Sequence, residues 1–129
     1  MIVWVDDWQL QCCGTPFGRG DRVTWRVQLA DTEWLGEVFG PRLPDPPLYA
    51  EEHHGGASGR ERTTAAGTVR SIDAVSCRFA PREAGGLSYP VYDSAVLEPV
   101  AEADGWHRAA PPLKFAGYLV TLEAEAAAG

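Results

Sequence analysis

The stretch from Arg22 to Ala30 constrains the fold of this chain more than any other segment. Apolar and polar residues alternate through it without a break, a period of two that is typical of a β-strand with one buried face. Such a strand fits an antiparallel sheet or a barrel wall, where one face is dry and the other is wet. We predict that Val23, Trp25, Val27 and Leu29 line the core while Arg22, Arg26 and Gln28 face solvent.

Two further patterns precede and follow this strand. Ile2 to Cys12 also alternates, except at Asp6 and Asp7, so we predict a strand with a bend or bulge at those two residues. After the central strand, Asp31 or Thr32 is a predicted helix N-cap. The apolar residues that follow repeat with helical spacing over about two turns, until Gly40 and Pro41 end the helix.

Strand character returns in the second half of the chain. We predict two strand pieces over residues 64–79 with a slip near Ile72 and Asp73, and a strand over 113–122 with a slip at Gly117. Residues 89–100 form a weaker strand that contains prolines, which suits a sheet edge. Residues 40–62 are rich in proline and glycine and are predicted to be irregular, with the second half disordered.

These elements predict a mainly β protein. The expected fold is a small antiparallel β-barrel, SH3-like or OB-like, with one short helix and long loops. A length of 129 residues fits one domain, which we place at residues 1–122, followed by a flexible C-terminal tail at residues 123–129.

The charge balance narrows the classes of partner. Eighteen acidic residues oppose eleven basic ones, which gives a formal charge of −7. This acidity counts against nucleic acid and anionic membranes as partners and suits a protein partner that is itself basic. The sequence shows neither an apolar run of membrane-spanning length nor a basic leader, so we expect a cytoplasmic protein.

The potential metal ligands and nucleophiles do not form a known motif. Cys12, Cys13 and Cys77 are too few for a disulfide framework, and their spacing to the three histidines fits no zinc motif. We therefore expect neither a metal nor a cofactor, and we expect the cysteines to be buried. Asp6 and Asp7, as neighbours on a strand, would point to opposite faces and would not act together on one substrate.

The N-terminal segment carries one resemblance. Residues 4–25 contain a Trp/Gln run, Cys-Cys-Gly-Thr-Pro-Phe and Gly-Asp-Arg-Val-Thr-Trp. They resemble the opening of an uncharacterised family of small actinobacterial proteins, which has no assigned activity and therefore implies no catalytic residues. Residues 16–23 are also similar to the first strand of SH3-like and OB-like barrels.

The five tryptophans divide into core and surface candidates. Trp4, Trp8 and Trp25 share the apolar parity of their strands, so we expect them in the core. Trp106 lies in a polar loop and is the predicted exposed aromatic anchor of an interface. The candidate binding residues are Asp104, Trp106, His107 and Arg108, together with Tyr49 from the irregular segment.

Function is predicted from these features taken together. Because the common catalytic signatures are absent, we expect a non-enzymatic, acidic module that binds a protein. An alternative is a small enzyme or biosynthetic accessory protein with a barrel pocket that uses Cys13 and His107. A second alternative is a structural subunit that self-associates through an edge strand near residues 89–97.

Overall fold

The computed structural model describes residues 1–12, 14–52 and 63–125, and over these residues the chain is mainly β. Two α-helices and one 3₁₀ turn accompany the strands. In chain order the elements are β1 (Ile2–Asp6), α1 (Asp7–Cys12), β2 (Phe17–Gly18), β3 (Arg22–Leu29), α2 (Thr32–Phe39), the 3₁₀ turn (Gly40–Arg42), β4 (Leu48–Glu51), β5 (Thr63–Cys77), β6 (Phe79–Pro81), β7 (Ser88–Pro90), β8 (Val96–Pro99), β9 (Glu102–Ala103) and β10 (Lys114–Ala124).

Five strands form a ring of pairings. β10 pairs with β1, β1 with β4, β4 with β3, β3 with β5, and β5 pairs back with β10. β8 adds to the outer side of β5 as an edge strand, as predicted for this part of the chain. The expected all-antiparallel pairing is wrong at one place, since β1 and β4 are parallel. Parallel neighbours need a long connection, and here β3 and α2 lie between them in the chain.

The strands of the ring separate two apolar clusters. On β1, Val3 and Val5 belong to the first cluster, whereas Trp4 between them belongs to the second. This division follows from the alternation of side chains along a strand. Leu35, Val38 and Phe39 of α2 are buried in the second cluster, so the helix covers one outer face of the ring. Trp4 therefore lies between the sheet and α2.

β3 follows its predicted alternation over most of its length. Val27 is buried, Val23 and Trp25 pack partly buried against the first cluster, and the two arginines are exposed. The expectation is wrong at the end of the strand, where Leu29 is 62% exposed and Gln28 is half-buried. Beyond Val27 the strand passes the first cluster and lines a cleft, so the burial pattern changes.

The helix after β3 is confirmed, including its cap. Oδ1 of Asp31 accepts hydrogen bonds from the backbone N–H groups of Glu33 and Trp34, both at 3.1 Å. This satisfies two of the N–H groups that have no partner within the helix. α2 then ends at Phe39, next to the predicted Gly40.

A second short helix, α1, replaces the predicted second half of the first strand. The chain turns at Asp7 and is helical to Cys12. Trp8 is 49% exposed and Cys12 is exposed, so the expectation that both are buried is wrong. Gln9 is buried instead, and its Nε2 donates to the backbone carbonyl of Glu51 at 3.0 Å. This long-range bond holds α1 against the end of β4.

The C-terminal strand shows the predicted irregularity and extends beyond the predicted boundary. The register with β5 shifts between Phe115 and Gly117, as expected. β10 continues to Ala124, and the N–H of Glu125 donates to the carbonyl of Ala66 at 2.8 Å. A tail beginning at residue 123 is therefore incorrect, because the long strand β5 offers partners up to that point. Residues 126–129 lie outside the described residues.

Two other sequence expectations are revised. β5 is one continuous strand, and its irregularity falls beside Arg70 rather than at Ile72 and Asp73. Inside the segment predicted to be irregular, residues 48–51 form β4, which is paired on both sides. The prolines lie just before β4 and not within it. They made the whole segment read as irregular, and the four-residue strand was therefore not predicted. Residues 53–62, for which disorder is predicted, lie outside the described residues.

Candidate functional site

A cleft of about 450 Å³ opens where the ends of β1, β3 and β4 meet the starts of α1 and α2. Its floor is a row of residues across the sheet, since Trp4 on β1 and Gln28 on β3 both pair with Ala50 on β4. Ala50 contributes only a methyl group between two large side chains. The row therefore has a depression at its centre.

Trp4 forms one end of the cleft floor and is fixed by several contacts. Its ring lies 5.8 Å from that of Trp34 and meets Phe39 edge-on at 6.3 Å. A Cβ added at Gly117 would lie 2.6 Å from Cζ2 of Trp4, so the indole needs a glycine there. Nε1 of Trp4 donates a hydrogen bond of 2.7 Å to Oδ1 of Asp6. The sheet and α2 thus fix the position of a carboxylate at the cleft.

The cleft concentrates negative charge. Among the described residues that line it, five are carboxylates and none is Lys, Arg or His. Burial raises the pKa of the Asp6 carboxyl, with Glu52 adding to the rise, although hydrogen bonds such as that from Trp4 oppose it. Burial also raises the pKa of Asp7, and the charge of Asp6 contributes. The carboxylates are Asp6, Asp7, Asp31, Glu51 and Glu52.

Asp6 and Asp7 both line the cleft, which corrects the expectation that they point apart. They are neighbours in sequence, but β1 ends at Asp6 and α1 begins at Asp7. The change from strand to helix at this bond removes the alternation of a regular strand. The signal for this arrangement was the break in apolar alternation at these two residues.

Apolar side chains form the rest of the wall. Trp8 stands half-exposed on α1, Trp34 is half-buried on α2, and Leu29 is exposed at the end of β3. An aromatic face beside carboxylates attracts a cation through its quadrupole, and an aliphatic chain packs on the same surface. The wall therefore suits a ligand that has an apolar stem and a positive end.

One polar atom of the cleft lining has no partner. Oε1 of Gln28 is buried and has no hydrogen-bond donor within the described part of the chain. Nε2 of the same amide lies 3.3 Å from Oε2 of Glu52, and only the amide nitrogen can donate to that oxygen. The orientation of the amide is thereby set. A buried acceptor left unsatisfied costs roughly 1–3 kcal/mol.

The carboxylates are not arranged around a metal ion. Within the described residues, no group of three or more His, Cys, Asp or Glu side chains is placed to hold one. Cys13, His53 and His54 lie outside the described residues, so the expectation that no metal binds stays a prediction.

The loop predicted to bind a partner lies between β9 and β10, and its exposed aromatic is held on a fixed backbone. Trp106 is 66% exposed. The N–H of Gly105 donates to the hydroxyl of Tyr118 at 3.1 Å, and Nε2 of Gln11 donates to the Gly105 carbonyl at 2.7 Å. The N–H of Trp106 donates to Oδ1 of Asp104 at 2.8 Å. Three hydrogen bonds thus hold the turn that presents the indole.

Of the other predicted site residues, His107 and Arg108 lie on this loop, whereas Tyr49 lies elsewhere in the fold. Arg108 is exposed next to His107, whose Nε2 lies 2.7 Å from Oε2 of Glu98. Tyr49 lies on β4 and packs half-buried against the first cluster, so it does not belong to this loop. Cys13, the predicted nucleophile partner of His107, lies outside the described residues, and that pairing stays a prediction.

The loop and the cleft are neighbours. The ring of His107 lies 5.5 Å from that of Phe115, which lines the cleft. α1 joins the two features as well, since Trp8 near its start lines the cleft and Gln11 near its end contacts Gly105. Sequence reasoning found the loop but missed the cleft, because the cleft combines residues from seven separate elements.

Comparison with known proteins places the chain in a family without giving it an activity. A model described as a family of unknown function (DUF6578) matches residues 1–124. Neither the curated proteins nor the solved structures contain a match. Among the described residues, no helix combines the length and the apolar character that crossing a membrane requires.

Proposed function

Since the chain belongs to this family of unknown function, DUF6578, we propose from its own geometry that it is a non-enzymatic binding module for a basic protein partner. The cleft receives a cationic side chain of that partner. The observation that carries the proposal is the lining of the cleft, which joins five carboxylates to tryptophan side chains and contains no basic residue among the described ones.

Electrostatics favours this choice of ligand. Burial is the main reason why the pKa values of Asp6 and Asp7 are raised, and repulsion from Glu52 and from Asp6, respectively, adds to the rise. A bound cation relieves that repulsion. The formal charge of −7 also attracts a basic partner from a distance and speeds its association at low ionic strength.

The neighbouring loop supports a protein as the carrier of the cation. A side chain that enters the cleft passes the half-exposed Trp8 near the start of α1. Trp106 lies near the other end of α1, on the turn to which Gln11 is hydrogen-bonded. Exposed tryptophans on a fixed backbone are typical anchors of protein interfaces. Asp104 and Arg108 supply a polar rim around the second indole. The partner surface thus extends from the cleft to the loop.

We further infer that the five-stranded ring is a small barrel of the SH3-like or OB-like kind. Buried side chains of β1, β3, β5 and β10 form the first apolar cluster and Tyr49 of β4 packs against it, which supports this inference. A barrel this small is filled by its own side chains. Ligands then bind on its outside, where the cleft and the loop lie.

The test is titration with short peptides of opposite charge. Acetyl-Gly-Lys-Gly-amide and acetyl-Gly-Glu-Gly-amide are added separately, and binding is followed by calorimetry and tryptophan fluorescence. We expect the lysine peptide to bind and the glutamate peptide not to bind. The double substitution Asp6→Asn with Asp7→Asn should weaken lysine-peptide binding at least about tenfold, which corresponds to roughly 1.4 kcal/mol.

A matched control separates the cleft from overall charge. Asp45→Asn with Glu83→Gln removes the same amount of charge at two exposed carboxylates that do not line the cleft. We expect this variant to bind like the parent protein. Equal weakening in both double variants would assign the effect to net charge and overturn the proposal, as would equal binding of the two peptides.

A second candidate function is a small enzyme or biosynthetic accessory protein. Two adjacent carboxylates with raised pKa values at a cleft resemble the groups that exchange protons in general acid–base catalysis. Saturating the cleft with the lysine peptide distinguishes the two candidates. A binding module leaves the peptide intact after prolonged incubation, whereas hydrolysis that stops in the Asp6→Asn variant would favour the enzyme.

A further inference from the structure

We propose that a free edge of β3 binds an extended segment of a partner protein, which joins the sheet as an additional strand. The segment places apolar side chains beside Val23 and Trp25 and an acidic side chain between Arg22 and Arg26. This surface is distinct from the acidic cleft, so the proposal does not depend on which ligand the cleft binds.

The edge is free because β4 covers only one end of β3. The two strands pair at residues 27–29, and the N–H of Glu52 then donates to the carbonyl of Arg26 at 2.9 Å. On its other side β3 pairs with β5 over residues 22–27. Residues 22–25 therefore have a neighbouring strand on the β5 side and, within the described part of the chain, none on the β4 side.

The backbone groups of two residues point to this edge. In an antiparallel ladder the residues of a strand direct their N–H and C=O groups alternately to one side and the other. The carbonyl of Arg26 and the N–H of Ala30 are both bonded on the β4 side. Arg22 and Thr24 have the same parity, so each presents an N–H and a C=O group there. Donor and acceptor pairs at this spacing match the backbone of another extended chain.

The end of β4 also leaves an apolar face incompletely covered. Val23, Trp25 and Val27 lie on the face of β3 that contacts the first cluster. Val27, which pairs with β4, is fully buried, whereas Val23 and Trp25 are only half-buried. The ring of Trp25 is supported from below by Phe17, whose ring centroid lies 4.9 Å away. Inward-facing apolar side chains of an added strand would cover the two half-buried residues.

A cavity of about 630 Å³ gives such a segment room. Its lining combines β3 with residues 14–17 and with Val5 and Leu10 of the first cluster. Among the described residues, Glu51 and Glu52 alone line both this cavity and the cleft. The volume is in the range of ligand sites, and the unpaired backbone groups of β3 border it.

The charges on the outer face of β3 favour one kind of outward-facing side chain. Arg22, Thr24 and Arg26 are exposed on this face. A partner residue across from Thr24 has both arginines as diagonal neighbours, within reach of a long side chain. Arg22 is already paired with Glu125, whereas Arg26 makes no ion pair in the described part of the chain. A glutamate at that position therefore pairs with Arg26, and a lysine there is repelled.

Amide hydrogen exchange of the whole chain tests whether the edge is free. The N–H groups of Val23 and Trp25 point to β5 and should be protected, whereas those of Arg22 and Thr24 should exchange quickly. A saturating concentration of acetyl-Val-Glu-Val-Thr-amide should slow the exchange at Thr24 at least about tenfold. Equal protection of Val23 and Thr24 without the peptide would mean that the edge is already paired and would overturn the proposal.

Three peptides distinguish strand addition from other modes of binding. The first is acetyl-Val-Glu-Val-Thr-amide, the second carries N-methylglutamate and so lacks the N–H that pairs with the Thr24 carbonyl, and the third has lysine in place of glutamate. The amide NMR signal of Thr24 follows each titration, so binding of the lysine peptide at the cleft is not counted. We expect the first peptide to bind at least about tenfold more tightly than the other two. Failure of the first peptide to bind, or equal binding of either of the others, overturns the proposal.

A proline substitution tests the edge on the side of the protein. Thr24→Pro removes an N–H group that points away from β5, so the existing ladder is kept. Calorimetry with the first peptide should show at least about a tenfold loss of affinity. Thr24→Ala keeps the N–H group and should bind like the parent protein. Equal affinity of these two variants, with circular dichroism confirming the fold, would mean that the edge is not used. If the proline variant does not fold, the N-methylated peptide decides the same question.

A second pair of variants tests the charge. Arg26→Gln should narrow the preference for the glutamate peptide over the lysine peptide at Thr24. Arg78→Gln removes an equal charge at an exposed residue that does not line the cavity, and it should leave the preference unchanged. The same preference in both variants and the parent would show that Arg26 does not select the acidic side chain, and the proposal would be wrong.

Discussion

Nε1 of Trp4 lies 2.7 Å from Oδ1 of Asp6 and donates a hydrogen bond to it. The same indole packs against α2 and lies directly over Gly117. One side chain thus belongs to the core and also positions a charged group of the cleft. The carboxylate is held by the packing of the sheet rather than by a loop, which gives the cleft a rigid acidic group.

Replacing Asp6 by Asn should stabilise the fold at pH 7. Burial raises the pKa of this carboxyl, so the folded protein binds its proton more readily than the unfolded chain does. Its contribution to stability is therefore complete below the ordinary aspartate pKa and is lost as the pH rises through the folded-state pKa. Asn carries no charge and still offers an oxygen to Trp4, so denaturation by urea at pH 7 should show a larger free energy of unfolding.

The pH dependence supplies the control for Asp6→Asn. At a pH below the ordinary aspartate pKa the carboxyl is protonated in both states, and the variant and the parent should have equal stability. A variant less stable than the parent at pH 7 would mean that the charged form of Asp6 makes favourable contacts within the fold, which contradicts the assignment.

Gly117→Ala should destabilise the protein and disturb the cleft. The added Cβ would lie 2.5 Å from the carbonyl oxygen of Val5 and 2.6 Å from Cζ2 of Trp4, and the backbone oxygen cannot easily move. We expect a loss of about 1–3 kcal/mol from overpacking. Thermal unfolding measures the loss, and the near-ultraviolet circular dichroism of the tryptophans should change.

Gly36→Ala is the matched control for that substitution. Gly36 lies within α2, and a Cβ built there meets nothing within 4 Å. Alanine should stabilise the helix by about 0.5–1 kcal/mol because it loses less backbone entropy on folding. If both substitutions have the same effect, the close approach at Gly117 is not what determines the outcome.

Trp106→Ala should leave stability almost unchanged and weaken the capture of a basic partner. The side chain is 66% exposed, and the hydrogen bonds of its turn involve the backbone rather than the indole. We expect a shift in melting temperature of no more than about 2–4 °C, equivalent to roughly 1 kcal/mol or less. Unfolding of this variant would place Trp106 in the core and refute its role in binding.

Cys77 should resist alkylation in the folded protein. Burial raises the pKa of its thiol to about 11, so only about one molecule in 10,000 carries the reactive thiolate at pH 7. Cys12 is exposed and should react first. Iodoacetamide labelling of a Cys13→Ser variant, with peptide mapping, should modify Cys77 only after denaturant is added. Equal labelling rates for the two thiols in the native protein would contradict this.

The features that could be predicted from the sequence are those that depend only on residues close together in the chain. The alternation through β3, the Asp31 cap and the slip at Gly117 each reflect a rule that acts within a few residues. The pattern did not reveal α1, because apolar residues at positions 8, 10 and 12 match a strand equally well. Long-range bonds from Gln9 to Glu51 and from Gln11 to Gly105 hold the helix in place, and no local rule contains them.

The cleft was beyond sequence reasoning for a related reason. Its floor depends on the register that places Ala50 between Trp4 and Gln28, and one of the two pairings is parallel. A parallel neighbour leaves no turn in the sequence to mark it. The exposure of Leu29 could not be predicted either. Alternation indicates which residues of a strand share a face, but it does not indicate how far along the strand other residues cover that face.

The ring closes through the strand that comes last in chain order. β1 pairs with β10, so Ile2 meets its partner Thr121 only after all the strands between them have been synthesised. Contacts so distant in sequence slow folding, because the long intervening chain must first be ordered. Gly117, on which the Trp4 indole lies, belongs to that same strand. A nascent chain that still lacks β10 therefore contains the acidic residues but not the cleft, which forms only when β10 completes the ring.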